Sequence, residues 1–167
     1  VLRVFYIKPE RVTPNTPVWF VMHGVNRNAE KYRDNWVELR QRYRAMVIVP
    51  EFNAQSYPGS RAYNLGNMFD KQGEPMDRSR WSYTVIDRLF DHVRHREGLK
   101  ANGYCLFGHS AGAQFVHRLV MFLPDAKVRL AVAANAGWYT APDLDVAYPY
   151  GLAGTSATEE DAGAAFG

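Results

Sequence analysis

Residues 103–116 read Gly-Tyr-Cys-Leu-Phe-Gly-His-Ser-Ala-Gly-Ala-Gln-Phe-Val: an apolar run meets Gly108-His109-Ser110-Ala111-Gly112 and passes at once into an amphipathic segment. A G-x-S-x-G placed between a strand and a helix forces a sharp turn with the serine at its apex. Both glycines fall where a side chain would collide with the neighbouring strand or helix. The helix that starts just after Ser110 leaves its first amides free to face developing negative charge. Ser110 is therefore a candidate nucleophile, and Ala111 N–H a candidate donor to an oxyanion. A lone G-x-S-x-G is weak, and a structural Gly-Ser turn capping a helix is the plain alternative. The strand before it and the helix over 111–123 favour the first reading.

The rest of the chain supplies the scaffold that such a turn needs. Five apolar runs read as strands: Val1–Ile7, Val18–Met22, Ala45–Pro50, Gly103–Phe107 and Val128–Asn135. The later ones are nearly continuous in Val, Ile, Leu and Ala, the pattern of strands buried on both faces of a parallel sheet. Between them Tyr32, Trp36, Leu39 and Tyr43 recur at helical spacing and predict one helix. Val85, Ile86, Leu89, Phe90 and Val93 predict a second, with Asp87, Arg88, Asp91 and Arg94 outward; Phe115, Leu119 and Phe122 mark a third. Strands alternating with helices predict an α/β fold, a mostly parallel sheet with flanking helices and right-handed crossovers. The 167 residues read as a single domain, 1–167, with an irregular insertion over 53–81 and a small-residue, acidic tail over 151–167 that looks like a connection. An insertion of that length is more often functional than idle, and Asn64, Leu65, Asn67, Met68 and Phe69 are expected to form a pocket wall or lid.

A second feature points to the same chemistry. The strand Val18–Met22 runs into His23-Gly24-Val25-Asn26. In acyl-transfer sites with a serine on such a turn, the loop after that strand donates one backbone N–H to the oxyanion, and the residue after the nucleophile donates the other. That pairs Val25 N–H with Ala111 N–H. His23 reads as a histidine that orients this loop by hydrogen bonding. Asn26 in the same loop, and Trp138 and Tyr139 after the last strand, are candidate substrate contacts, because open α/β sheets bind ligands at the carboxyl ends of their strands. Ordinary aromatic packing is the alternative for the last two.

Composition closes off other classes. Twenty Lys and Arg are scattered among seventeen Asp and Glu, a net charge of +3, so no basic stripe points to nucleic acid. No apolar run reaches the roughly 18 residues of a membrane span. No Cys/His cluster or His-Glu-x-x-His predicts a metal, and no G-x-G-x-x-G predicts a nucleotide, so no cofactor is expected. The single Cys105 lies in a strand run and excludes an intramolecular disulfide without deciding the compartment. The chain opens Val-Leu-Arg with neither Met nor an apolar leader, as expected of a trimmed start.

Taken together, "FVMHGVNRNAEKY", "YCLFGHSAGAQFVHRL" and "AVAANAGWYT" resemble the α/β-hydrolase superfamily, within it the polyhydroxybutyrate-depolymerase-like and esterase-D-like serine esterases. The resemblance covers residues 1–150 and implies Ser110 as nucleophile, Val25 and Ala111 as oxyanion donors, and a small ester or a polyester as substrate. It also implies an acid and then a histidine, each after a further strand. Here the pattern breaks. The last histidine is His117, and the late acids Asp143, Asp145, Glu159, Glu160 and Asp161 follow no further strand. His109 should point away from the serine, His117 lies roughly 10 Å down the helix axis, and His92 and His95 sit on or near a charged face. Three expectations follow: a chain incomplete at its C-terminus with one sheet edge uncovered, a partner chain or homo-oligomer that completes the fold, or a binding or assembly subunit that works without the triad.

Overall fold

The computed structural model describes residues 1–157. Five strands form one sheet in the order β1-β3-β2-β4-β5, comprising β1 (Arg3–Ile7), β2 (Val18–Met22), β3 (Met46–Glu51), β4 (Tyr104–His109) and β5 (Val128–Ala134). β1 runs antiparallel to β3, and the other pairs are parallel. The elements therefore stand where the apolar runs place them, within two residues at each end.

Alternation along the strands splits the side chains between two layers. Phe20, Met22, Ile48 and Leu106 face the larger core, where they meet Ile86 and Phe90 of α3 (Thr84–Glu97) and Phe115, Val116 and Leu119 of α4 (Ala111–Phe122). Val21, Val47 and Val49 face the other way, against Ala29 and Tyr32 of α1 (Ala29–Asp34).

Two expectations change. The helix predicted through Tyr32 and Tyr43 breaks at Asn35–Trp36, and α2 (Val37–Tyr43) is a separate helix. Trp36 leaves helical geometry and packs against Trp19 and Phe107, with ring centroids 5.5 and 5.3 Å away. The stretch beyond it swings off the sheet, so Leu39 and Tyr43 are exposed instead of buried. Likewise β5 is not buried on both faces: it pairs with β4 alone, and Leu130 and Val132 face solvent. Among the described residues no strand pairs with its outer edge.

The insertion is a packed layer. Tyr63, Met68 and Trp81 join the larger core beside Tyr83, which follows the insertion. Arg61 donates to Asn67 Oδ1 and to the Phe69 carbonyl, and Ser82 Oγ donates to the Ala62 carbonyl. Gly66, at φ 75°, lies flat against the Tyr83 ring, where a Cβ has no room. Of the proposed tail, 151–157 is described; Glu159, Glu160 and Asp161 lie outside the described residues.

Candidate active site

β2 and β4 are adjacent and parallel, with Met22 opposite Gly108, so both strands end at the same level. The loop after each opens on the same crevice at the carboxyl edge of the sheet. Ser110 sits there with φ 58° and ψ −119°, a conformation that a residue with a Cβ rarely adopts. Its N–H donates to the Ala134 carbonyl at the end of β5, which ties the apex to that strand.

The glycines explain how this turn fits. A Cβ on Gly108 would sit far inside contact with the Gly112 carbonyl, and one on Gly112 would strike the Met22 carbonyl oxygen. The turn is thus pressed against its own helix and against the end of β2. The same closeness brings the His-Gly loop to the serine: a Cβ built on Gly24 lies 3.9 Å from Ser110 Cβ.

Val25, Ser110 and Ala111 line one cleft of about 460 Å³ together with Arg27, Ala54, Gly59, Ser60, Asn64, Gln114 and Gly137. Ala111 begins α4, so its N–H precedes the first intrahelical bond, and Val25 N–H has no acceptor among the described residues. Two free amides and a strained serine share one water-accessible space. That arrangement can hold a carbonyl whose oxygen gains charge.

His23 is fully buried and both ring nitrogens are engaged: Nδ1 donates to the Gly24 carbonyl and Nε2 accepts from Phe52 N–H. Burial lowers its pKa to about 4, so it is neutral and holds the loop, the role read from the sequence. Tyr63 Oη donates to the His23 carbonyl from beneath. His117 follows the same pattern, donating from Nδ1 to the Ala113 carbonyl and accepting at Nε2 from Thr140 N–H. Burial lowers its pKa to about 4 as well. His109 is exposed and faces Tyr32 Oη, 3.5 Å away.

Other expected contacts fall elsewhere. Asn26 is exposed and outside the lining; its neighbour Arg27 takes that place. The Trp138 ring stacks on Arg118, 4.1 Å from the guanidinium carbon, and on Tyr150. Tyr139 is half exposed, with its hydroxyl donating to the Ala133 carbonyl. Gly137, just before these two aromatics, is what reaches the cleft. In the insertion, Asn64 lines the cleft with Ala54, Gly59 and Ser60, whereas Met68 is in the core. No histidine or carboxylate lines the cleft, and the Asp143 carboxylate accepts from Asp145 N–H in a local turn. Among the described residues no group of three or more His, Cys, Asp or Glu could hold a metal. No described helix is long and apolar enough to cross a membrane.

Three polar residues carry this site that the motifs do not reveal: Arg27, Gln114 and Arg118. Arg27 lies at φ 57°, its guanidinium against the Tyr63 ring and bonded to the Phe52, Tyr57 and Gly59 carbonyls. Gln114 and Arg118 follow Ser110 at four-residue intervals on α4, so the helix places all three along one face. That spacing is a signal the sequence does hold.

No protein-family model matches the sequence, nor does any curated protein. Among solved structures, poly(aspartic acid) hydrolase-1 from Sphingomonas sp. KT-1 is 44% identical, with a TM-score of 0.96 over 98% of this chain. LpqC, a poly(3-hydroxybutyrate) depolymerase from Bordetella parapertussis, is 37% identical with a TM-score of 0.92 over 97% of it. The chain belongs to the α/β-hydrolase superfamily. It spans 62% and 55% of the length of those two proteins. An acetyl xylan esterase from Aspergillus awamori, 12% identical with a TM-score of 0.60 over 93% of this chain and 64% of its own, shares the fold alone.

Proposed function

We propose that Ser110 is the nucleophile of a hydrolase that cleaves carboxylic esters through an acyl-enzyme. The observation that carries this is the strained serine, wedged between two obligatory glycines and opening on a cleft that it shares with Val25 and Ala111. Ser110 Oγ attacks the ester carbonyl carbon and loses its proton to a base. The carbonyl oxygen becomes an oxyanion, held by the Val25 and Ala111 amides. Collapse breaks the bond to the alcohol, which leaves with the proton. Water then repeats the sequence on the acyl-enzyme and frees the acid. Removing one such donor costs about 10²–10³ in rate in sites of this type.

The base must be a group beyond those that line the cleft. The resemblance implies a histidine oriented by an acid, supplied by further residues of a longer chain, by a partner chain or by a second copy. Polyesters are a narrower substrate class, supported by the depolymerase named above.

The histidines also favour a second reading. His23 and His117 have both ring nitrogens engaged and His109 faces Tyr32, so no described base serves Ser110. On that reading the domain binds or assembles without catalysis. A fluorophosphonate label read by intact mass separates the two. One adduct per chain that is lost in Ser110→Ala supports the hydrolase; folded protein that takes no label rules it out for this chain.

A further inference from the structure

The cleft is polar in a lopsided way. None of the ten residues lining it is acidic, and one is a cation, Arg27, whose hydrogen bonds all go to carbonyls. Behind the opposite wall lies a second cation without a carboxylate. Arg118 is fully buried, donates from Nε to Thr140 Oγ1 and from Nη1 to the Asn64 and Gln114 carbonyls, and leaves Nη2 without a partner. Burial lowers its pKa, the mark of an arginine set in a poor solvent for charge.

Arg118 thereby clamps the backbones of the two residues whose side chains meet in the cleft. Asn64 Nδ2 donates to Gln114 Oε1 at 2.6 Å, in a pair shielded from water. That bond fixes the Gln114 amide and leaves Nε2 with no acceptor among the described residues. Residue 137, a glycine, faces Nε2: a Cβ there would come into ordinary contact with it at 3.6 Å. Gln114 stands one helical turn after Ser110, about 6 Å along the axis at 1.5 Å per residue. A fixed donor thus waits a few bonds away from where a bound ester's carbonyl carbon would sit.

We infer that Gln114 selects the acyl group: its Nε2–H donates to a second oxygen acceptor, a carbonyl or ester oxygen, carried by the acyl chain a few bonds beyond the scissile carbonyl. The inference rests on Ser110 acting as nucleophile. Asn64 and Arg118 are positioning residues for this donor. Substrates with a plain alkyl acyl chain leave the Gln114 donor unmatched in a half-dry cleft, and those with the second oxygen satisfy it.

Two fluorophosphonates test this, one with an all-carbon alkyl chain on phosphorus and one with a ketone oxygen a few carbons along the same chain. In each the serine oxygen bonds to phosphorus and fluoride leaves. The wild-type protein should react about fivefold faster with the ketone probe, the size of one neutral hydrogen bond. Gln114→Met should bring the ratio of the two rates to one. Gln114→Glu, which sets an acceptor against an acceptor, should push the ratio below one. A wild-type ratio of one, or a Gln114→Met that keeps the preference, overturns the inference and leaves the Ser110 reading intact. No reaction with either probe overturns both.

Discussion

The two walls of the cleft use one device and differ in what it supports. On the side of β2 and β3, neutral His23 links the Gly24 carbonyl to Phe52 N–H; on the side of β5, neutral His117 links the Ala113 carbonyl to Thr140 N–H. The first wall hangs on central, largely buried strands, and its cation Arg27 donates to three carbonyls. The second hangs on the exposed edge strand β5, and its cation Arg118 keeps one buried nitrogen without a partner. The difference assigns labour. On the proposed reading, the first wall presents amides to a reacting carbonyl, while the second carries unspent polarity that discriminates what lies beyond it.

The largest effect comes from breaking the joint between the elbow and the first wall. In Gly112→Ala the new methyl meets backbone, the Met22 carbonyl, which cannot rotate away. Overpacking costs typically 1–3 kcal/mol, and a clash with main chain on both sides of a turn puts this variant at about 3 kcal/mol or more. Urea unfolding measures it. A variant as stable as the parent would show that the elbow is not seated against β2.

Acid tests whether the two histidines are equivalent. Each has a folded pKa of about 4 against an ordinary value of 6.5, because burial disfavours the imidazolium. The unfolded chain therefore binds the proton more tightly. The stability each neutral ring contributes is fully present above pH 6.5 and is lost as pH falls from 6.5 through 4. Each site should withdraw about 2 kcal/mol by about pH 5. Urea midpoints across that window should fall in the parent, and His117→Gln should remove about half of the dependence. Should His117→Gln leave the slope unchanged, the second wall is not closed by a neutral ring.

Sequence and structure agree where the information is local. The elbow and the His-Gly loop are legible because each is a turn of a few residues whose geometry is dictated by its own glycines. The strands are legible because alternation and apolar runs record burial directly. The break at Trp36 is not, since Tyr32, Trp36, Leu39 and Tyr43 fit one helix perfectly well until Trp19 and Phe107 compete for the indole. The exposure of β5 is hidden for a similar reason: Val-Arg-Leu-Ala-Val-Ala-Ala reads the same whether or not a neighbour covers it. Gln114 and Arg118 look like an outward polar stripe on α4. Only the chain folding back through Asn64 and Thr140 turns that stripe inward.

Arg118→Met is the sharper cut at the second wall. It removes three hydrogen bonds, each worth about 1 kcal/mol, but also relieves a buried charge with an unmet nitrogen. The net loss should be about 1–3 kcal/mol by urea unfolding, smaller than for the glycine. With the Gln114 donor no longer clamped, the preference for the ketone probe should fall while the plain probe reacts as before. If the preference survives intact, Asn64 alone positions the amide.

The smallest effect should separate the walls most cleanly. Gly137 is not at positive φ, and a methyl there makes ordinary contact with Gln114 Nε2, so Gly137→Ala should leave the thermal midpoint unchanged. It partly screens the donor, and the ketone-to-plain ratio should drop about twofold, a fraction of one hydrogen bond. The matching change on the first wall is Gly24→Ala, whose methyl would press on Tyr32 Oη and stand beside Ser110 Cβ. That one should slow both probes alike, because it crowds the carbonyl they share and not the oxygen that distinguishes them. If Gly24→Ala alters the ratio while Gly137→Ala alters only the common rate, the division of labour between the walls is reversed.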